Sequence, residues 1–383
     1  MDMKKEIKLS DLLPKRKPGG GSRSSAPVAN GGRGRTRMKE VVGVKVGSSQ
    51  LAAAEVVNDG VPKLVKVARE PLEPGVVVAG EVRDIPALGR ALDEFFRKND
   101  LPRKNVRLGI GTNRVGVRVL NVEGIDDDTQ LANAVTFRAH ETLAIPMDQA
   151  VMDYHVVRSE ETDDGVKSHR VILAAAYREP IDHFYAAFDA AGIELQAVDV
   201  EAFALLRAVA PRDGRDGGEQ TAVVALSLGH DRTTLAISDG TVCDFTRVLE
   251  WGGSRLDAAI ARELGVTIEE AAEIKESLSL AEDADVVNTR AQNAVKSELA
   301  NLARELVASL QFYQAQPESL ALAEILVTGG TTRMPGLVDE LERLIRARVR
   351  LADPLTAVSA GGGVDSRDDL GSLTVAIGLG VER

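Results

Sequence analysis

Two stretches of this chain, 182 residues apart by their turn glycines, open in the same way, and that recurrence constrains the fold more than any other feature. VVGVKVGSSQLAAAEVVNDG and TAVVALSLGHDRTTLAISDG each read as an apolar strand, a turn beginning with glycine (Gly47, Gly229), a second apolar strand and a closing Asp-Gly turn. Alternating apolar residues bounded by Gly, Asn and Asp mark β-hairpins. A unit that recurs once across 383 residues points to a duplicated α/β fold with two lobes. One small core does not suit a chain of this length. Aromatic residues are only 3% of the sequence, so Val, Leu, Ile and Ala must fill both cores.

The rest of the text alternates helices and strands. Residues 84–99 predict a helix with Leu88, Leu92, Phe95 and Phe96 on one face. VRLGIGTNRVGVRVL predicts a hairpin, followed by a helix around 128–143. AVMDYHVV and RVILAAAY predict strands separated by a polar loop at 159–169, and a helix over 180–191 stops at Gly192. Asp199 and Glu201 sit at a strand-to-helix junction, with Asp199 predicted as the N-cap. PRDGRDGGE (211–219) breaks the chain before the second copy. Helices follow near 253–264, 267–278 and 285–315, then the strand and turn of AEILVTGGTTRMPG, and LGSLTVAIGLG as an apolar helix.

Charge is unevenly spread. Residues 1–40 carry a net of +7 and the remainder −18, and so acidic a body argues against nucleic acid as a partner. Residues 14–37 are rich in Gly, Pro, Ser and Arg and read as a linker, with an apolar island of Ile7, Leu9, Leu12 and Leu13 before it. No apolar run approaches the roughly 20 residues that span a bilayer. The lone Cys243 excludes an internal disulfide and a cysteine metal cluster. Together these features point to the cytoplasm.

Three glycine turns close three apolar strands: Gly47–Ser48–Ser49, Gly229–His230 and Gly329–Gly330–Thr331. Glycine lets backbone amides approach a phosphate, and hydroxyls add donors. Singly each is an ordinary turn; in this order, with this duplication, they outline a phosphate cleft. No nucleophile stands with a base, and no spacing suits a metal, so no catalytic and no metal residue is assigned.

These stretches resemble the actin, sugar-kinase and Hsp70 superfamily, and within it the PilM proteins of type IV pilus assembly. GVKVGSSQLAAAEV is similar to that family's first phosphate motif, and NVRLGIGTNRVGVRVL with FRAHETLAIPMDQAVMDYHVV to its inserted small subdomain. VILAAAYREPIDHFYAAFDAAGIELQAVDVEAFALLRAV and WGGSRLDAAIARELGVTIEEAAEIK resemble the next family stretches, and ILVTGGTTRMPGLVDEL the adenosine motif. The resemblance covers about residues 39–381. It implies an actin-like (ribonuclease H-like) α/β fold whose two lobes flank a nucleotide cleft and carry an inserted SHS2-type subdomain. It implies a basic arm over 1–38, a first lobe over 39–104 and 197–220, a subdomain over 105–196 and a second lobe over 221–383.

The resemblance implies that ATP or ADP contacts Lys45, Gly47, Ser48, Ser49, Gly229, His230, Glu273, Lys275, Gly329, Gly330, Thr331 and Arg333. The departures matter. Family members usually carry Asp where this chain has Lys45 and Ser227, and often Lys where it has Ala52. Those carboxylates hold Mg²⁺ in the superfamily, and a lysine cannot serve a hard cation, so Mg²⁺ is doubtful and hydrolysis inefficient. Two readings of Lys45 stand: its ammonium replaces the metal against a phosphate, or the cleft has lost its nucleotide and Lys45 pairs with a nearby carboxylate.

The implied function is a cytoplasmic scaffold at the inner membrane. It binds the N-terminal tail of a PilN-like membrane protein in a groove of the inserted subdomain; pilus motor ATPases and further copies of the chain are additional implied partners. The segment Ile7–Pro14, IKLSDLLP, loosely resembles the tails PilN proteins present, which points to docking of the chain's own arm in competition. The alternatives are an ATPase or kinase of the superfamily and an FtsA-like division filament protein. The first lacks a placeable catalytic aspartate, and the second usually ends in a basic amphipathic helix, which VAIGLGVER is not.

Overall fold

The computed structural model describes residues 40–143, 145–161, 164–210, 221–281, 286–317, 319–362, 364 and 369–382. The expected arm, with its Ile7–Pro14 segment, and the break at 211–219 lie outside the described residues.

Strands β1 (Glu40–Val46), β2 (Gln50–Val57) and β3 (Lys63–Pro71) form an antiparallel run. The short ribbon β4 (Val77–Val78) and β5 (Glu81–Val82) leads into α1 (Ile85–Lys98). Asp84 caps α1 by accepting from the Ala87 amide at 2.8 Å, and Leu88, Leu92, Phe95 and Phe96 form its buried face. Each such side chain contributes about 1.5–3 kcal/mol on burial.

The predicted hairpin over Val106–Leu120 does not form. β6 (Val106–Ile110) runs parallel to β1 in the first sheet, whereas β7 (Val115–Glu123) belongs to a separate one. A Gly-rich turn between two apolar strands looks the same whether they pair or diverge, and here β6 is flanked by β1 and by the strand over Leu195–Val200 instead. Helix α2 (Asp128–Thr142) covers the three-stranded sheet made of β7, β8 (Ala150–Glu161) and β9 (Lys167–Tyr177), with Val135, Ala139, Val171 and Leu173 in its core. The polar loop expected at 159–169 is shorter, since β8 runs to Glu161 and β9 starts at Lys167.

Helix α3 (Arg178–Ala190) packs on α1 and ends before Gly192, whose φ of 65° is the left-handed turn the sequence predicts there. β10 (Leu195–Val200) then rejoins the first sheet beside β6 and runs into α4 (Glu201–Val209). Asp199 does not cap α4. Val200 holds that position, and Asp199 pairs with Arg207, eight residues along. A nearby guanidinium competes for a carboxylate that would otherwise cap.

The second sheet has the order β13-β12-β11-β14-β15, built from β11 (Thr221–Leu228), β12 (Thr233–Ser238) and β13 (Cys243–Leu249). Helices α5 (Gly253–Leu264), α6 (Ile268–Ser277) and α7 (Val286–Gln314) come before β14 (Ala321–Thr328), α8 (Leu337–Ile345) and β15 (Val349–Leu351). Thr267 and Glu270 form a reciprocal capping box at the start of α6. Both sheets thus carry the same antiparallel hairpin beside a parallel strand, the architecture of a duplicated actin-like fold with a small inserted sheet.

The chain's last segment leaves the second sheet. β16 (Ser359–Ala360) pairs with β3, and α9 (Thr374–Gly380) packs on β1, β2 and α4. Residues 359–381 thus pack largely against the first sheet and α4. Helix α9 is buried on all sides and is held close by glycines. A Cβ on Gly43 would overlap the Ala376 carbonyl oxygen, and one on Gly378 the Ala204 carbonyl oxygen. Small residues of α4 (Ala202, Ala204, Ala208) and of the second sheet (Ala225, Ala236) meet Val375 and Leu379 in one cluster that joins the lobes.

Candidate functional site: a cleft between two glycine hairpins

Each hairpin turn is closed by its own backbone hydrogen bond. In the first, the Gly47 amide donates to Gln50 O at 2.9 Å, and Leu72 donates to Ser49 O at 2.9 Å. The Ser48 hydroxyl oxygen is shielded and has no hydrogen-bond partner among the described residues. In the second, the Gly229 amide donates to Arg232 O at 2.9 Å.

Lys45, two residues before Gly47, reaches across to α4. Its Nζ lies 3.3 Å from Glu201 Oε2, with the lysine side chain 20% exposed and the glutamate 5%. Glu201 is boxed in by Gly111, where a Cβ would stand 2.7 Å from Oε2. The Gly111 carbonyl in turn accepts from the guanidinium of Arg232. A chain of contacts therefore runs from the first hairpin through Glu201 and Gly111 to the second. Of the two readings of Lys45, this geometry favours pairing with a carboxylate.

The other expected residues gather on the second lobe. The Gly229 carbonyl accepts from the Gly253 amide and the Thr331 hydroxyl, both at 2.9 Å. Lys275 Nζ stands 2.6 Å from Asp257 Oδ1 and 3.3 Å from the Gly253 carbonyl oxygen. Gly329 has a φ of 106°, and a Cβ there would overlap the Leu228 carbonyl oxygen, so only glycine fits this close approach. Gly330–Arg333 form a 3₁₀ turn, and helix α8 begins shortly after it at Leu337. Arg333 is 65% exposed and lies 3.6 Å from Asp369, which also receives Arg69 at 3.1 Å.

Two expected residues are not drawn into this network. Glu273 is exposed on α6, and His230 contributes its backbone carbonyl, which accepts from Ser254 at 2.8 Å. Three residues with a place in it were not singled out for it from sequence: Glu201, Arg232 and Asp257. Arg232 had a signal, a cation three residues past the turn glycine. Glu201 and Asp257 had none, because their lysine partners are 156 and 18 residues away.

A magnesium ion does not fit this donor set. The two positions that would supply carboxylates are an ammonium, Lys45, and a buried hydroxyl, Ser227, while Glu201 is already engaged by Lys45.

The inserted sheet is fastened to the second lobe by Arg170 of β9, which reaches Asp239 at 2.5 Å and Asp244 at 2.7 Å. Burial pushes the Asp239 carboxyl up, but the Val242 and Thr241 amides and Arg170 outweigh it and hold it below the usual carboxylate range. The charge on this fastening persists into acid. Asn113 adds a second cross-lobe contact, donating to Glu250 at 3.2 Å.

Among solved structures, the chain is similar to the PilM–PilN type IV pilus biogenesis complex. That match has a TM-score of 0.76 and 24% identity and covers 89% of this chain and 97% of that one. It also shares its fold with MreB5 of Spiroplasma citri (TM-score 0.53, 12% identity, 89% and 94% covered). The ethanolamine utilization protein EutJ of Carboxydothermus hydrogenoformans is a further neighbour (TM-score 0.52, 15% identity, 89% and 88% covered). The cell division protein FtsA of Pseudomonas aeruginosa is 26% identical over 357 residues, which cover 82% of this chain and 83% of FtsA. The family model for the type IV pilus assembly protein PilM matches residues 43–383, nearly the whole described fold, and the chain belongs to the PilM family of type IV pilus assembly proteins.

Proposed function

We propose that this chain is a scaffold of type IV pilus assembly that binds the N-terminal tail of a PilN-like inner-membrane protein and does not turn over ATP. The observation that carries this reading is the Lys45–Glu201 ion pair, which puts a fixed internal cation where an ATPase of this fold needs metal-binding oxygens. Family membership supports the pilus role, and the solved complex of a similar PilM with PilN supports the partner. No helix among the described residues is long and apolar enough to cross a membrane, so on this reading the partner holds the protein at the cytoplasmic face. If ATP or ADP enters the cleft, it meets Ser48, Gly229 and Thr331 without a metal and acts as a bound ligand.

The test is calorimetric titration of the full chain with a synthetic peptide of the PilN-like protein's cytoplasmic N-terminus. Saturable binding in the micromolar range, about −8 kcal/mol, with the same affinity whether or not ATP and Mg²⁺ are present, is the expected result. No binding of that tail, or binding that requires MgATP, would overturn the proposal.

A further inference from the structure

The outer edge of the second sheet faces an open slot. β13 is the end strand of that sheet, so one row of its backbone N–H and C=O groups has no strand partner within it. Five consecutive residues, Thr246–Glu250, line a cavity of about 530 Å³. Alternate residues of a strand point to opposite faces, so a consecutive run is the signature of a backbone edge lining the space. Across the slot stands the segment between β6 and β7, with Gly111, Thr112 and Asn113, and Val200 at the end of β10 and Ala202 of α4 close it. Ile110, Val115 and Leu249 make one part of the lining apolar, while Arg247, Glu250, Arg255 and Glu305 make another charged.

We propose that residues Ile7–Asp11 of this same chain add to the β13 edge as an extended strand within this slot. The inference is independent of the pilus reading. Three observations point to this occupant. The segment Ile-Lys-Leu-Ser-Asp alternates apolar and polar residues, the pattern of a strand that lays one face on apolar lining and the other on charge. Its Lys8, on the face opposite Ile7 and Leu9, complements the carboxylates of Glu250 and Glu305, and the +7 of residues 1–40 is attracted to a body of −18.

The third observation is reach. β1 runs parallel to β6, so Glu40 lies about one strand length, roughly 20 Å, from the Ile110 end that borders the slot. The 28 residues between Asp11 and Glu40 have a root-mean-square span of about 30 Å if they behave as a Gly-rich chain. A tether matched to its span gives an effective concentration on the order of millimolar, so a segment too weak to bind in trans is held in cis. Main-chain hydrogen bonds to the edge would supply affinity, and the alternating side chains register.

Hydrogen exchange of the full chain tests this, with wild type compared to full-length Ile7→Asp/Leu9→Asp. Both substitutions lie before the first described strand and leave every buried residue of the fold in place. Alternate amides within Thr246–Glu250 should exchange about tenfold more slowly in wild type than in the variant, the protection given when effective concentration exceeds Kd tenfold. That difference should persist on dilution. Equal exchange in the two proteins would overturn the proposal. Protection that fades on dilution would also overturn it, by assigning the slot to a second copy, and so would protection that appears only with a partner peptide.

Discussion

Lys45→Ala should destabilise the fold by about 3 kcal/mol in chemical denaturation, whereas Lys45→Met combined with Glu201→Leu should recover most of that loss. The asymmetry follows from burial. Glu201 keeps only 5% of its side chain exposed and has the Gly111 backbone against it. Removing the ammonium leaves a carboxylate with neither water nor a counter-ion, and removing both charges leaves an apolar contact between β1 and α4. Lys45 is 20% exposed, which places the single substitution at the low end of the range for buried pairs. Equal stability of Lys45→Ala and wild type would show that solvent already screens the pair.

Gly378→Ala should be among the most damaging small substitutions at the described glycines, costing about 3 kcal/mol or more and loosening both lobes together. Its Cβ would overlap the Ala204 carbonyl oxygen on α4, a backbone atom that cannot swing aside. Gly43 imposes the same closeness on the other side of α9, so the helix has no room to retreat. Because the α4–α9 cluster joins the first sheet to the second, the expected readout is a lower midpoint for a single unfolding transition. Gly362→Ala, with open space at its Cβ position, is the control and should change little.

Local features of this molecule were legible in its sequence, and distant pairings were not. Helix α5 spans Gly253–Leu264, the range its apolar pattern predicts, and both Gly-turn hairpins form where alternation and turn chemistry place them. These depend on residues within a turn or two of each other. The Val106–Leu120 hairpin failed because β6 finds its partners in β1 and β10, about 65 and 90 residues away along the chain. The return of α9 to the first sheet was hidden for the same reason: an apolar helix with two glycines announces close packing but not against what.

In the cleft, sequence marked Lys45 as a departure and left its role open between a phosphate and a carboxylate. In the structure Lys45 pairs with Glu201, whose position resembled a helix start, and this favours the carboxylate. Asp199 was misread beside it, because a capping carboxylate and one held by Arg207 look alike in sequence. Glycines gave the cleft its outline; the acidic partners that fill it were set by the fold.

The most direct test of a metal-free cleft is calorimetric titration of the full chain with ATP, with Mg²⁺ and with EDTA. The account predicts the same isotherm in both, whether that isotherm shows binding or none, because Lys45 and Ser227 offer the metal no carboxylate. An affinity for ATP that rises about tenfold or more with Mg²⁺, worth about 1.4 kcal/mol, would contradict it and would mean that Glu201 releases Lys45 to serve a metal.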